Sequence, residues 1–319
     1  MHLVGIARLV ASSELLAAKR AVEYFELPTR RFLNRTSERM PFQWTINPYR
    51  GCEFGCVYCY ARYTHEFMEL DGVSAFERKI FAKQFFAASL AAELRKISRK
   101  DWIAIGTATD PYQPAERKYR LTRTILDQFS QSAGHRIGLI TKSDLVTRDI
   151  DLFQEISRRN HLTLVITITT LDRDLARLLE PLAPRPDLRL SAVRKLSAAG
   201  LRVAVNLAPI MPLLNDAEPS LDAVAKSSAR AGAIQLGGNV VYLKECAQKV
   251  FFPFLRDHFP SYLRRYRERF ERSAYLKGEY PEMIRERLSR IRRRYGLDER
   301  KLEPEPELWP QDPQMTLFS

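Results

Sequence analysis

The chain has 319 residues, 45% of them hydrophobic, and a formal net charge of +13 at pH 7. That length and apolar content suit one large barrel-sized domain or two ordinary ones, with no low-complexity bulk. No apolar run approaches the roughly 20 residues of a membrane span, and the opening MHLVGIARLV is too short and interrupted for a signal peptide, so a soluble, cytoplasmic protein with no membrane partner is expected.

Residues 1–43 read as an N-terminal extension with a helical stretch around SSELLAAKRAVEYF. From residue 44 to about 250 an alternation runs. Strand-like runs are WTINPYRG, DWIAIGTATD, RIGLITKS, LTLVITITT, LRVAVNLAPI and AIQLGGNVVYL. Between them lie the amphipathic patterns QFFAASLAAELRKI, RLTRTILDQFSQSAG, RDIDLFQEISRRN, DLRLSAVRKLSAAG and PSLDAVAKSSARAG. Alternation of this kind implies a parallel sheet with right-handed crossovers. Six such strands make an α/β partial (β/α)6 TIM-like barrel; periodicity alone leaves a flat doubly wound sheet open. Polar residues punctuate the C-terminal strand ends: Thr107, Thr109 and Asp110, then Thr141, Lys142 and Ser143, then Thr167 and Thr169, then Asn206. In parallel α/β architectures the site lies at that end. Capping of the next helix is the competing explanation for any single one of them.

Residues 251–302 read as a basic helical extension with 15 Lys/Arg against 8 Asp/Glu. Tyr and Phe are interleaved with Arg there, which suits a groove that tracks phosphates and stacks bases; a solvated helical surface is the plainer reading. Residues 303–319, acidic and proline-rich, form a flexible tail without a core of its own.

Three of the four cysteines crowd into PYRGCEFGCVYCY, as Cys52, Cys56 and Cys59. Crowding in a cytosolic chain favours metal or redox chemistry over a disulfide framework. The spacing Cys-x3-Cys-x2-Cys fits three irons of a cubane cluster, leaving the fourth iron open. A structural zinc completed by His65, or unligated buried thiols, are the alternatives that spacing leaves open.

That motif, with Tyr58 just before the last cysteine, resembles the signature of the radical S-adenosylmethionine (SAM) superfamily. Together with GTATDPYQPAE, LITKS, ITITTLD, LLEPLAPRPDLRL and NLAPIMPLLND it resembles the branch of DNA-repair photolyases akin to spore photoproduct lyase, from about Asn47 to Asp216. The resemblance implies a partial barrel of the radical SAM type, a [4Fe-4S] cluster on Cys52, Cys56 and Cys59, and SAM chelated to the open iron. One-electron reduction of SAM then yields a 5′-deoxyadenosyl radical, with flavodoxin or ferredoxin as the kind of electron donor. Tyr58, Thr109, Asp110, Lys142, Thr167, Arg189 and Ala208 match positions that face SAM. Lys142 stands for a lysine near the methionine carboxylate, and Ala208 offers backbone groups to adenine.

Tyr58 and Tyr60 match tyrosines implicated in returning a hydrogen atom in spore photoproduct lyases; packing of the cluster loop is the plainer role for Tyr60. The chain departs from those lyases at Thr107, where they carry the cysteine that donates hydrogen. Efficient repair of spore photoproduct itself is therefore not expected. Cys246, in YLKECAQ, is the remaining thiol and by default buried and inert. The end of the tail, Gln314 to Phe318, resembles the peptide with which bacterial repair proteins dock on the sliding clamp. The expected function is a radical SAM enzyme acting on DNA through its Arg-rich C-terminal helices. A peptide or small-molecule substrate, or a non-catalytic zinc-stabilised nucleic-acid-binding module, are the other readings.

Overall fold

Strand and helix alternate because the residues do: short runs rich in Ile, Leu and Val are bounded by turn signals, with amphipathic stretches between them. A computed structural model describes residues 5–298 apart from Ser12, Arg20, Ala21, Arg39 and Asp71. The tail, including Gln314 to Phe318, lies outside the described residues, as do residues 299–302 of the expected basic region.

Helix α1 (Ile6–Ala11) precedes strands β1 (Glu14–Lys19), β2 (Val22–Leu27), β3 (Leu33–Arg35), β4 (Trp44–Ile46) and β5 (Tyr49–Arg50). The cysteine loop follows. Beyond it come α2 (Tyr63–Glu66), α3 (Ala75–Arg78), β6 (Lys79–Lys83), α4 (Ala87–Leu94), β7 (Trp102–Ile105), α5 (Glu116–Tyr119), α6 (Leu121–Ser130) and β8 (Arg136–Thr141). The alternation continues through α7 (Ile150–Arg159), β9 (His161–Thr167), α8 (Arg173–Leu179), α9 (Pro186–Ala198), β10 (Val203–Ile210), α10 (Glu218–Arg230) and β11 (Gln235–Val240). Three helices close the described chain: α11 (Glu245–His258), α12 (Pro260–Phe270) and α13 (Glu279–Tyr295).

The main sheet has the order β3-β4-β7-β8-β9-β10-β11. From β4 to β11 every neighbouring pair is parallel, which makes the six-stranded partial barrel expected from the alternation. Ile103, Ile105, Ile137, Leu139, Leu164, Ile166, Val203 and Val205, at alternate positions of four neighbouring strands, are all fully buried and so make one face of the sheet a continuous apolar layer.

The segment expected to be helical near the N-terminus is instead the antiparallel hairpin β1–β2. Helix propensity favours its Ala, Leu, Glu and Lys content, but β2 finds a parallel partner in β6, with Tyr24 opposite Ile80 and Phe25 opposite Phe81. Pairing and packing outweigh the local preference. Nor is the region before residue 44 a detached extension, because β3 is the antiparallel edge of the main sheet, paired with β4.

The boundary drawn at residue 250 falls inside α11. The apolar faces of α11 and α12 pack directly onto the cysteine loop: Phe54, Val57, Tyr58 and Ala61 share one core with Phe251, Leu255, Tyr266 and Phe270. At roughly 1.5–3 kcal/mol for each fully buried large apolar side chain, these contacts make the two helices part of the site's support. Among the described residues no helix is long and apolar enough to cross a membrane.

Candidate functional site

A cavity of about 510 Å3 opens at the C-terminal ends of the barrel strands. Cys52, Cys56 and Cys59 line it together with Tyr58, Tyr60, Thr109, Asp110, Lys142, Thr167 and Ala208. Every expected site residue except Arg189 therefore reaches the same space.

The loop that carries the thiols is fixed by close backbone contact. Gly51 sits at φ +82°, and a Cβ there would lie 2.7 Å from the Lys79 carbonyl oxygen and 2.8 Å from that of Phe76. Only glycine fits both the angle and the gap. The Thr109 hydroxyl donates to the Gly51 carbonyl at 2.6 Å and accepts from the Gln113 amide at 2.9 Å. Glu53, buried, accepts from the Ala115 backbone at 2.7 Å and from the Tyr24 hydroxyl at 2.9 Å. On the other side Val57 donates its backbone N–H to Leu179 at 3.0 Å, and Arg62 holds the Cys56 carbonyl at 3.2 Å while pairing with Glu77 at 2.7 Å.

Burial raises all three thiols, Cys56 to about 12. Three soft sulfur donors in a water-poor cavity, with no disulfide among the four cysteines, are a donor set for iron; binding metal displaces the protons that burial holds on. Among the described residues no three His, Cys, Asp or Glu side chains converge on a single-ion site. His65 does not complete a zinc site: its Nε2 meets the Lys79 carbonyl oxygen at 2.9 Å, its ring packs edge-on against Phe76 and Phe81, and burial lowers its pKa to about 4. His65 and Cys246 both line a second cavity, of about 460 Å3, which none of the three loop cysteines lines. The Cys246 thiol donates to the Tyr60 carbonyl at 3.6 Å.

Beneath the first cavity lies a buried polar cluster. The Tyr58 hydroxyl donates to Glu180, which also accepts from Thr169 at 3.0 Å and pairs with Arg189. Glu180 and Arg189 are 0% and 1% exposed at their side chains. Burial pushes the Glu180 carboxyl up, yet Arg189 and then Lys142 outweigh it and hold the group below the ordinary carboxylate range. The Lys142 ammonium lies 5.7 Å from the centre of the Tyr58 ring, a cation–π distance.

Arg189 stands behind the cavity wall. Its other donors go to the Pro184 carbonyl at 2.7 Å and the Thr167 carbonyl at 3.2 Å, so it braces Glu180 and the end of β9. Asp110 ties two strand ends together, accepting from the Thr141 hydroxyl at 2.6 Å and the Lys142 backbone at 2.7 Å. Arg189 thus acts on the site through Glu180 and Thr167, whereas Asp110 lines the cavity and also fixes the Lys142 backbone. The register between β10 and β11 shifts between Leu207 and Ile210, which takes Ala208 out of the ladder and turns its backbone to the cavity. Tyr60 reaches the cavity edge, its hydroxyl donating to the Thr107 carbonyl.

Glu180, Tyr242 and Asn47 were not singled out from sequence. Glu180 had a signal: an acidic residue at the end of the apolar LARLLE, nine residues before Arg189. Asn47 had none, since its use depends on β4 lying beside β7, where its carboxamide accepts from the Ala108 backbone at 2.8 Å.

The basic helices divide. On α13, Arg287 and Arg290 lie 3.4 and 3.5 Å from Glu218, and Arg294 lies 2.6 Å from Asp222, all on α10. Arg294, on one of the Arg-rich C-terminal helices expected to act on DNA, is therefore engaged within the fold. On α12, Arg264, Arg265, Arg267 and Arg269 are exposed, and Arg264 lies 3.8 Å from Glu268 on the same helix.

Comparison with known proteins agrees with this geometry. The family model of the radical SAM superfamily matches residues 46–222. The uncharacterized protein Rv2578c of Mycobacterium tuberculosis is 33% identical over 320 residues, spanning 99% of this chain and 93% of that protein. The uncharacterized protein MJ0683 of Methanocaldococcus jannaschii is 29% identical over 198 residues, 62% of this chain and 71% of that one. Among solved structures, a spore photoproduct lyase with bound AdoMet and dinucleoside spore photoproduct superposes with a TM-score of 0.64 at 15% identity, covering 85% of this chain and 79% of that one. At that identity the likeness establishes the fold.

Proposed function

The chain belongs to the radical SAM superfamily, whose cofactors are a [4Fe-4S] cluster and SAM, and from that premise we propose a cytoplasmic enzyme that acts on DNA as a repair lyase or base-modifying enzyme. When bound, the reduced cluster and SAM supply a 5′-deoxyadenosyl radical. The observation that carries the cofactor assignment is the cavity in which three thiols, buried at Cys52 and Cys56 and half-buried at Cys59, face Lys142, Thr109, Thr167 and Ala208. Cys52, Cys56 and Cys59 would hold three irons, with no protein ligand for the fourth.

Lys142 supplies a half-buried cation for the carboxylate of SAM, held at its backbone by Asp110. The Thr109 hydroxyl spends its proton on Gly51 and one lone pair on Gln113, leaving a lone pair to accept from an ammonium. The exposed arginines of α12 and the net charge of +13 favour a polyanion as substrate. The solved lyase of the same fold binds a dinucleoside lesion, which agrees with that choice. An electron donor such as flavodoxin or ferredoxin completes the reaction.

Thr107 argues against spore photoproduct as the substrate. Its hydroxyl, 3.3 Å from the Asn47 carboxamide nitrogen, holds its hydrogen far more strongly than a thiol and cannot pass it readily to a carbon radical. Anaerobic reconstitution with SAM and reductant should yield 5′-deoxyadenosine, stimulated by one class of damaged or modified DNA. Stimulation by a peptide instead would overturn the DNA assignment, and rapid turnover of a dinucleoside spore photoproduct would overturn the reading of Thr107.

The tail peptide is proposed to dock the enzyme on the sliding clamp, Leu317 and Phe318 filling an apolar pocket while Gln314 bonds at its rim. Deleting residues 314–319 should abolish clamp binding; undiminished affinity would remove the idea.

A further inference from the structure

The edge of the cavity carries aromatic rings that the chemistry above does not use. Tyr60 and Tyr242 both line the cavity, with ring centres 6.1 Å apart. Tyr242 contacts Tyr275 at 4.4 Å with 31° between the planes. In the other direction Tyr60 lies 6.4 Å from Tyr63, nearly parallel at 16°, and Tyr63 meets Phe67 edge-on at 5.6 Å. Five rings thus form one ridge that starts at the cavity and runs out to the surface on both sides. Its ends are open to solvent: Tyr275 is 64% exposed and Phe67 66%.

The ridge is held by backbone as well as by rings. Tyr242 and Tyr275 form an antiparallel bridge, and Leu243 donates its N–H to the Ala274 carbonyl at 3.0 Å. Cations accompany it. The Lys244 ammonium stands 4.1 Å from the centre of the Tyr63 ring, and exposed Arg272 and Lys277 flank Tyr275 in the chain. Rings in one row, exposed at Tyr60, Tyr275 and Phe67 and half-buried at Tyr63 and Tyr242, with positive charge alongside, lack the buried setting of a core. They suit a strand of unpaired bases, whose π-faces stack on rings while the phosphates meet lysine and arginine.

We infer that the Tyr60–Tyr242–Tyr275 ridge, with Tyr63 and Lys244, is a stacking platform for unpaired bases, so that the substrate nucleotide enters the cavity from single-stranded or locally opened nucleic acid. This rests on the reading that the enzyme acts on nucleic acid, and it specifies the form in which the substrate is presented. A base in an intact duplex is shielded by its neighbours and must leave the stack before chemistry can reach it. Three consecutive rings at the entrance offer replacement stacking partners.

The test uses the full-length holoprotein and fluorescence anisotropy with labelled oligo(dT), an abasic oligonucleotide of the same length, and a duplex. Wild type should bind oligo(dT) more tightly than either of the other two. Tyr275→Ala should weaken oligo(dT) about tenfold, the effect of losing one stacked base, while Tyr275→Phe retains the affinity because the ring remains. Binding of the abasic strand should be the same for all three proteins, which also reports that the variants are folded. Equal oligo(dT) affinity for wild type and Tyr275→Ala would overturn the platform and leave the nucleic-acid reading standing. Failure of wild type to bind any of the three probes would overturn the nucleic-acid reading itself.

Discussion

Tyr58 and Tyr60 flank one cysteine on one loop, and the fold uses them in opposite ways. The first turns down into the cavity floor, 7% exposed, where Glu180, Arg189, Thr169 and Lys142 close around it. The second turns to the edge, 38% exposed, where its neighbours are other rings. The floor is a satisfied polar network in a medium of low dielectric, in which every member fixes the position of the next. The edge makes few obligations and keeps its aromatic faces available. Holding a cofactor calls for the first arrangement and admitting a variable polymer calls for the second.

The largest expected effect comes from opening the floor. Glu180→Gln leaves Arg189 buried and without its counter-charge, and should destabilise the fold by about 3–5 kcal/mol. Adding Arg189→Met should restore much of that stability. Denaturant titration of the single and double variants measures both, and a single variant as stable as wild type would show that the floor is not a closed network.

A matched pair of substitutions tests the contrast directly. Tyr58→Phe removes a hydrogen bond to a buried carboxylate and should cost about 1.5–3 kcal/mol, whereas Tyr60→Phe removes one to a neutral carbonyl at the cavity edge and should cost about 0.5–1.5 kcal/mol. Equal losses by thermal or chemical unfolding would erase the distinction between floor and edge.

The smallest effects distinguish the two basic helices. Arg264→Gln on α12 should reduce the salt slope of DNA binding by about 1 with little change in stability. Arg294→Gln on α13 should leave that slope alone and change stability little, since exposed ion pairs are screened by solvent. Reversed roles in salt-dependent binding assays would mean that α13, not α12, faces the polyanion.

Much of the site was legible in the chain because its parts are local. The cysteine spacing and the polar residues at successive strand ends are short signals, and parallel connectivity sends them to one end of the sheet. The roles of Arg189 and Glu180 were not legible. Glu180 meets Tyr58 across 122 positions of sequence, and whether an arginine faces a cofactor or braces a carboxylate depends on which side of a wall it stands.

By itself the sequence determined the alternation of strands and helices, the cysteine loop and the polar strand ends, since hydrophobic period and turn chemistry act between near neighbours. Only the tertiary structure decided that Glu14–Lys19 and Val22–Leu27 pair as strands, that α13 spends arginines on α10 while α12 keeps its own outward, and that one tyrosine is sealed and its neighbour left open. Those outcomes rest on contacts between distant segments, where packing and charge pairing outweigh local preference.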